Sequence, residues 1–309
     1  MSLQLRLLTI AMRWVAKPML ARVKDPVKAR WGFVILCKGL RIPPFVLHQV
    51  EVGRVPLHWI SVKRRRTDWV ILYLHGGGYI AGSPTTHLGL TARIAEMTGL
   101  QVASPDYRLA PEHPAPAAFE DVVKAHEMIL AKGTAPDRII VAGDSAGGGL
   151  ALALLADLCG RGLGPAGLFA FSPWTDLTMS SESLVTNSNA DPLLPVARMS
   201  EAVEMVRGNL SPADPRLSPL AAVFEAPPPV FLQVGQSEIL RDDSRRMADS
   251  LRRVGGQVQL DEWPGCPHVW HMLDGMLPEA RKALVDVAGF VGRLVAATSG
   301  QDFVDTDRR

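Results

Sequence analysis

Gly143-Asp-Ser-Ala-Gly147 is the motif of this chain that is most informative about its architecture. It has the form G-x-S-x-G, follows an apolar run at 139–142 and precedes a small-residue helical pattern at 146–159. A strand, a sharp turn and a helix in this order are typical of a serine raised above the carboxyl edge of a sheet. The two glycines let the chain reverse closely, because glycine has no Cβ.

The rest of the chain alternates between strand-like and helix-like apolar patterns. Strands are predicted at 46–52, 55–62, 69–74, 100–104, 138–142, 167–171, 230–234 and 258–262. Further helices are predicted at 85–98, 117–132, 241–254 and 278–296. Such alternation indicates right-handed crossovers and an α/β fold with a mainly parallel sheet of about eight strands.

Two stretches do not follow this alternation. Residues 1–44 precede it, and residues 173–218 form an insertion too long for a simple loop, with a helix predicted around Met199. We interpret both as parts of one helical cap over the sheet edge. The catalytic core is then predicted at 45–172 and 219–297, and the polar tail 298–309 is predicted to be disordered.

Composition excludes several classes of protein. The chain has 309 residues, 47% of them apolar and 21% charged, with a net charge of +2. This near balance gives no electrostatic reason to expect nucleic acid as a partner. Cys37, Cys159 and Cys266 are far apart and odd in number, which predicts reduced thiols in a cytoplasmic protein. No apolar run is long enough for membrane insertion.

The N-terminus carries apolar residues on one predicted helix face and cations on another. The apolar residues are Leu3, Leu7, Ile10 and Trp14, and the cations are Arg6, Arg13 and Lys17. We interpret the segment as a surface helix packed on the body of the protein. A basic amphipathic helix can also lie on a lipid surface, so peripheral membrane contact through residues 1–30 stays an alternative.

A serine hydroxyl needs a base, and that base needs an acid to orient it. On this type of sheet the chain order is serine, acid, histidine. Only His268 and His271 lie beyond Ser145. His268 follows the last predicted strand directly, where it can reach over the sheet edge, so we favour it as the base over His271.

The acid is expected in the turn after the strand at 230–234. Glu238 occupies that turn, whereas Asp242 and Asp243 fall in the first turn of the next helix. Acidic residues there complement the positive end of the helix dipole. Glu238 is therefore the predicted acid, with Asp242 as the alternative.

A run of glycines at 76–78 follows the strand at 69–74. Their N–H groups, with that of Ala146 after the serine, can stabilise the oxyanion of acyl transfer. A phosphate cradle would need a G-K-[ST] ending or G-x-G-x-x-G spacing, and neither is present. No H-E-x-x-H motif occurs, so no metal site is predicted; His75 is assigned a structural role beside the glycines.

Three motifs together resemble the hormone-sensitive lipase family of α/β-hydrolases, the bacterial carboxylesterases also called family IV. They are His75-Gly-Gly-Gly-Tyr79, Tyr107-Arg-Leu-Ala-Pro-Glu112 and Gly143-Asp-Ser-Ala-Gly147, in the order of the family. The resemblance extends from about residue 40 to 295. One segment departs from the family pattern D-x-L-x-D, because it begins with Glu238.

The resemblance implies an α/β-hydrolase fold with a helical cap and hydrolysis of short- to medium-chain carboxylic esters without a cofactor. It implies Ser145 as nucleophile, His268 as base, and Gly76, Gly77 and Ala146 as oxyanion donors. Asp144, the variable position of the motif, is expected to brace neighbouring loops.

Our leading hypothesis is a serine carboxylesterase acting on a small-molecule ester through an acyl-enzyme on Ser145. The alternatives are a non-catalytic small-molecule receptor on the same fold, or amidase or peptidase activity. The predicted pocket lining is Tyr79, Trp174, Met179, Leu193, Met199 and Trp270. The strand at 258–262 is a candidate exposed edge, and a homodimer paired through it is a further hypothesis.

Overall fold

A sheet lies at the centre of the computed structural model, which describes residues 1–23, 25–62 and 66–299. Its strands in these ranges are β1 Leu47–Glu51, β2 Leu57–Ser61, β3 Arg66–Leu74, β4 Leu100–Pro105, β5 Ile139–Asp144, β6 Gly167–Phe171, β7 Val230–Gly235 and β8 Val258–Trp263. Their spatial order is β1-β2-β4-β3-β5-β6-β7-β8. The pairs β1–β2 and β2–β4 are antiparallel, and all other pairs are parallel. The predicted mainly parallel α/β sheet is confirmed.

Helices cover both faces of this sheet. They are α1 Leu3–Ala11, α2 Lys17–Arg22, α3 Pro26–Cys37, α4 Leu88–Thr98, α5 Ala117–Ala131, α6 Ser145–Gly160, α7 Ser183–Thr186, α8 Val196–Val206, α9 Arg241–Arg253 and α10 Pro278–Ser299. A π-helical segment, Met12–Ala16, joins α1 to α2. None of the helices in the described ranges combines the length and the apolar character that spanning a bilayer requires.

The alternation of side chains along β3 divides the core into two layers. Leu72 and Leu74 pack with residues of α5, α6 and α9, whereas Ile71 and Tyr73 pack with residues of α4 and α10. Successive residues of a strand point to opposite faces, so a continuous apolar run supplies both layers. The second layer fixes the sheet against α10, and the first fixes the helix that begins at Ser145.

The N-terminal helices and the 173–218 insertion contact each other. The guanidinium of Arg13 donates to the carbonyl of Ala190 at 2.9 Å, and Lys17 donates to the carbonyl of Ser188 at 2.6 Å. These contacts support the interpretation of the two segments as one cap, although the division into cap and core stays a prediction. The predicted tail begins inside α10, which ends at Ser299, and residues 300–309 lie outside the described residues.

The last strand, β8, lies at one edge of the sheet. Within the described ranges it pairs with β7 and has no second strand beside it. Arg245 from α9 pairs with Glu262 on this strand at 2.8 Å. The edge predicted at 258–262 is therefore present, and pairing with a second copy through it stays a prediction.

Candidate active site

Ser145 stands at the turn from β5 into α6, in a backbone conformation that is rare for a side-chain-bearing residue. Its φ is 53°, in the left-handed region. A Cβ added at Gly147 would collide with the carbonyl oxygens of Leu74 and His75, and one at Gly143 would collide with the carbonyl of Gly147. Both glycines are thus required for the turn, which leaves the Ser145 side chain partly accessible to solvent.

His268 lies in the loop after β8 and reaches Ser145. Its Nε2 is 2.9 Å from the Ser145 Oγ, and its Nδ1 is 2.7 Å from the Oε2 of Glu238. With Nδ1 donating to the carboxylate, Nε2 is free to accept the serine proton. His271 takes no part in this series, because its ring stacks on Phe171 and its Nε2 bonds to the Gln233 side chain.

Glu238 is buried in the turn after β7. Its Oε1 accepts hydrogen bonds from the hydroxyl of Ser172 at 2.8 Å and from the N–H of Gly235 at 2.6 Å. These two donors fix the carboxylate, so that its other oxygen faces His268. Asp242, the alternative acid, lies in the first turn of α9 and accepts from the N–H of Ser183 instead.

Ser172 is a site residue that sequence reasoning missed. It follows β6 with a φ of 47°, donates to Glu238 and accepts from the N–H of Val269 at 3.3 Å. One hydroxyl therefore links the loop of the acid to the loop of the histidine. A serine directly after a buried strand at the carboxyl edge of the sheet is the signal that could have indicated it.

The pKa of His268 reflects two opposing effects. Burial lowers it, while the hydrogen bond to Glu238 and the charge of that carboxylate raise it. The balance leaves the pKa above the ordinary value of 6.5. A nearby carboxylate that favours the imidazolium is what a base needs when it takes a proton from serine.

The glycine loop after β3 supplies N–H groups, although not the expected pair. Gly76 does not fit the predicted role, because its N–H already donates to the Oδ1 of Asp144 at 3.0 Å. The N–H groups of Gly77 and Gly78 donate to no acceptor among the described residues. The N–H of Ala146, in the first turn of α6, has no partner within the helix. Gly77, Gly78 and Ala146 are therefore the better candidates for an oxyanion hole.

Asp144 and His75 hold this loop in place. Asp144 accepts from the phenol of Tyr73 at 2.8 Å as well as from Gly76, which is the bracing expected of it. His75 stacks on Tyr107, and its Nδ1 bonds to the carbonyl of Gly76. Burial lowers the pKa of His75 to about 3, so its ring is neutral and structural at ordinary pH.

The residues of the predicted pocket lining are not gathered at one cavity, and that lining stays a prediction. Trp270 is fully buried in a small core with Leu5 and Leu277, and Trp174 and Tyr79 are buried in the main core. Large aromatic side chains near a site are indistinguishable in sequence from core residues. Met179 lines a cavity of about 310 Å³ in the insertion. Leu193 and Met199 are half-buried, and their place in a pocket stays a prediction.

The chain is similar to known ester-cleaving proteins. A family profile described as alpha/beta hydrolase fold matches residues 71–272. An acetyl-hydrolase of Streptomyces hygroscopicus is 38% identical over 252 residues, which cover 81% of this chain and 83% of that one. An esterase of Acinetobacter venetianus is 38% identical over 227 residues, which cover 73% and 75%.

Solved structures agree with this similarity. A crystal structure of an esterase from the bacterial hormone-sensitive lipase family superposes with a TM-score of 0.90 at 35% identity, covering 96% of this chain and 99% of that one. A structure of EstE5 soaked with p-nitrophenyl butyrate superposes with a TM-score of 0.91 at 32% identity, covering 96% and 100%.

Proposed function

Because this chain belongs to the alpha/beta hydrolase fold family and is a carboxylic ester hydrolase similar to the hormone-sensitive lipase group, we propose that it cleaves short- to medium-chain acyl esters through an acyl-enzyme on Ser145. One observation carries the proposal. The Ser145 hydroxyl, the His268 imidazole and the Glu238 carboxylate form an uninterrupted series of hydrogen bonds of 2.9 and 2.7 Å.

In the first half of the proposed reaction, Ser145 Oγ attacks the ester carbonyl while His268 Nε2 takes the hydroxyl proton. The N–H groups of Gly77, Gly78 and Ala146 stabilise the tetrahedral oxyanion. The intermediate collapses with cleavage of the bond to the alcohol oxygen, which leaves with the proton from His268. The acyl group remains bound to Ser145.

In the second half, His268 takes a proton from water, which attacks the acyl carbonyl. The second tetrahedral intermediate breaks the bond to Ser145 Oγ, which regains its proton from His268. The carboxylic acid is released. Glu238, held by its two additional hydrogen-bond donors, orients the imidazole and stabilises the imidazolium in both halves.

The proposed acyl-chain range is supported by relatives. One similar protein is named an acetyl-hydrolase, and one similar structure was soaked with a four-carbon acyl ester, p-nitrophenyl butyrate. We therefore expect turnover to be highest for short and medium chains in a series of p-nitrophenyl esters from about two to about sixteen carbons.

The test is Ser145→Ala assayed on that ester series. Turnover is expected to fall by about 10³-fold or more, because the nucleophile and base act as a unit. Ser250→Ala, a partly exposed serine on α9 outside the site, is the matched control and should keep its activity. Undiminished turnover in Ser145→Ala would refute the acyl-enzyme proposal.

A further inference from the structure

One face of α1 is apolar and exposed. Leu3, Leu7 and Ile10 follow one another at intervals of four and three residues, which places them on a single face of α1, and Trp14 follows four residues later in the π-helical segment that continues the helix. Their exposed fractions are 69%, 60%, 57% and 75%. An amphipathic helix on a globular protein ordinarily turns such a face toward the core. Here that face is left in solvent.

The opposite face of the same helical segment packs on the body of the protein, largely through polar groups. Ser2 donates from its N–H and hydroxyl to the carboxylate of Glu279, and Leu5 is buried beside Cys266 and Trp270. Further along, Arg13 and Lys17 donate to backbone carbonyls of the insertion. The helical segment does pack on the body, as the sequence predicts, with Lys17 half-buried against the insertion and Arg13 reaching it from an exposed position.

Helix α3 repeats this orientation. Arg30 faces inward and donates to the carbonyls of Ile80 and Ala110, both at 2.7 Å. Val27 and Trp31, four residues apart, are 50% and 66% exposed. We call Leu3, Leu7, Ile10, Trp14, Val27 and Trp31 the N-terminal apolar residues. Exposed apolar surface on this scale marks interaction sites in other proteins.

The same segment is strongly cationic. Residues 1–44 contain nine Lys and Arg and a single acidic residue, although the whole chain has 33 Lys and Arg and 31 Asp and Glu. The exposed cations in the described part of this segment are Arg6, Arg13, Arg22, Lys28, Lys38 and Arg41. Apolar side chains that include Trp, accompanied by exposed cations, are the composition of helices that lie in a lipid interface.

We propose that α1 and α3 dock this protein on the surface of an anionic lipid bilayer. The N-terminal apolar residues enter the boundary between headgroups and acyl chains, and the exposed cations face anionic headgroups. A second copy of the chain is a poorer occupant, because a symmetric pair would bring the same cations face to face. The proposal does not depend on the catalytic mechanism.

The test is cosedimentation of the full chain with vesicles of phosphatidylcholine alone and of phosphatidylcholine mixed with phosphatidylglycerol. We expect binding to the mixed vesicles only, weakened by added salt. The variant R6Q/R22Q/K28Q should bind about a hundredfold more weakly, since each cation near an anionic surface contributes about fivefold. L7S/W14S/W31S should also lose binding.

Two controls separate docking from a folding defect. Val223→Ser removes an apolar residue that is 78% exposed outside the N-terminal segment, and it should bind like the unaltered chain. All variants should keep their turnover of a water-soluble ester. Equal binding to both kinds of vesicle, or unchanged binding of both triple variants, would overturn the proposal. So would light scattering that shows a dimer which L7S/W14S/W31S converts to a monomer.

Discussion

The charge of Glu238 determines where the His268 imidazole titrates. Because Nδ1 of the buried imidazole lies 2.7 Å from that carboxylate, the pKa of His268 is raised despite its burial. The base must be neutral to accept the serine proton, so activity is lost as pH falls through this raised pKa. Removing the negative charge should therefore move the acid limb of kcat/KM to lower pH.

Glu238→Gln tests this effect at a single residue. We expect the acid limb to shift to lower pH. Turnover should also fall, by about 10⁴-fold, the order seen when the acid of a Ser-His-Asp triad becomes an amide. The measurement is the pH dependence of kcat/KM for a p-nitrophenyl ester, with the residual activity of the variant measured at high enzyme concentration.

Asp242→Asn is the matched control for Glu238→Gln. Asp242 bonds to the N–H of Ser183 and has no contact with His268 among the described hydrogen bonds. The acid limb of the Asp242→Asn variant should lie at the same pH as that of the unaltered enzyme. A limb that moved in Asp242→Asn and not in Glu238→Gln would make Asp242 the acid, which is the alternative that the sequence left open.

Among the elements, the sequence predicts the strands well. The central strands β3, β5, β6 and β7 are short apolar runs, and parallel strands all end at one edge. The residues after β5, β7 and β8 therefore had to converge, which identified Ser145, Glu238 and His268 before any coordinates. This part of the site follows from topology alone.

Features that depend on tertiary contacts could not be predicted in this way. The N–H of Gly76 is engaged only because the Asp144 side chain turns toward it from a neighbouring strand. Trp270 lies in a small core to which α1, from the other end of the chain, contributes Leu5. The apolar pattern of a sequence indicates which face of a helix or strand is buried. It does not indicate which distant residue will form a hydrogen bond or a packing contact with that face.

The first turn of α9 carries a second carboxylate with a structural role. Asp243 is buried and accepts hydrogen bonds from the N–H groups of Thr175 and Asp176 and from the hydroxyl of Ser181. It therefore ties α9 to the beginning of the insertion after β6. Burial raises the pKa of Asp243 to about 6, although these hydrogen bonds oppose the rise.

Asp243→Asn should change the pH dependence of stability. Between about pH 4 and pH 6 the folded chain keeps a proton on Asp243 that the unfolded chain has lost. Through this group the free energy of unfolding is highest at low pH and falls as pH rises, by about 3 kcal/mol in all. The asparagine variant should lack that slope, as measured by urea unfolding across this range.

Asp249→Asn on the same helix is the control for this prediction. The Asp249 side chain is 64% exposed and pairs with Arg252 on the surface, so the slope should be retained. A slope that is equal in the unaltered chain and in Asp243→Asn would show that Asp243 is not the titrating group.

On the scale of the whole molecule, the N-terminal helices are connected to the proposed triad through the insertion. Lys17 donates to the carbonyl of Asp191, whose own carboxylate accepts from the N–H of Ile239 at 2.9 Å. Asn187 donates to the carbonyl of Glu238 at 2.8 Å. The insertion thus lies between the N-terminus and the turn of the acid, and it holds that turn by its backbone.

Arg30 is the corresponding anchor on the other side, where α3 meets the segment after the glycine loop. Its guanidinium donates to the carbonyls of Ile80 and Ala110 and pairs with Glu112. These contacts attach α3 to the body of the protein.

Arg30→Met keeps much of the side-chain length but removes these donors. The free energy that holds α3 on the body should fall by about 2 kcal/mol. Because α3 shares no sheet hydrogen bonds with the core, the loss should appear as local opening. Limited proteolysis within residues 1–44 should accelerate severalfold, while the thermal midpoint of the core changes little. Arg22→Met, at an exposed cation of the same segment, should leave proteolysis unchanged. A large drop in the midpoint without faster N-terminal cleavage would mean that α3 unfolds only together with the sheet.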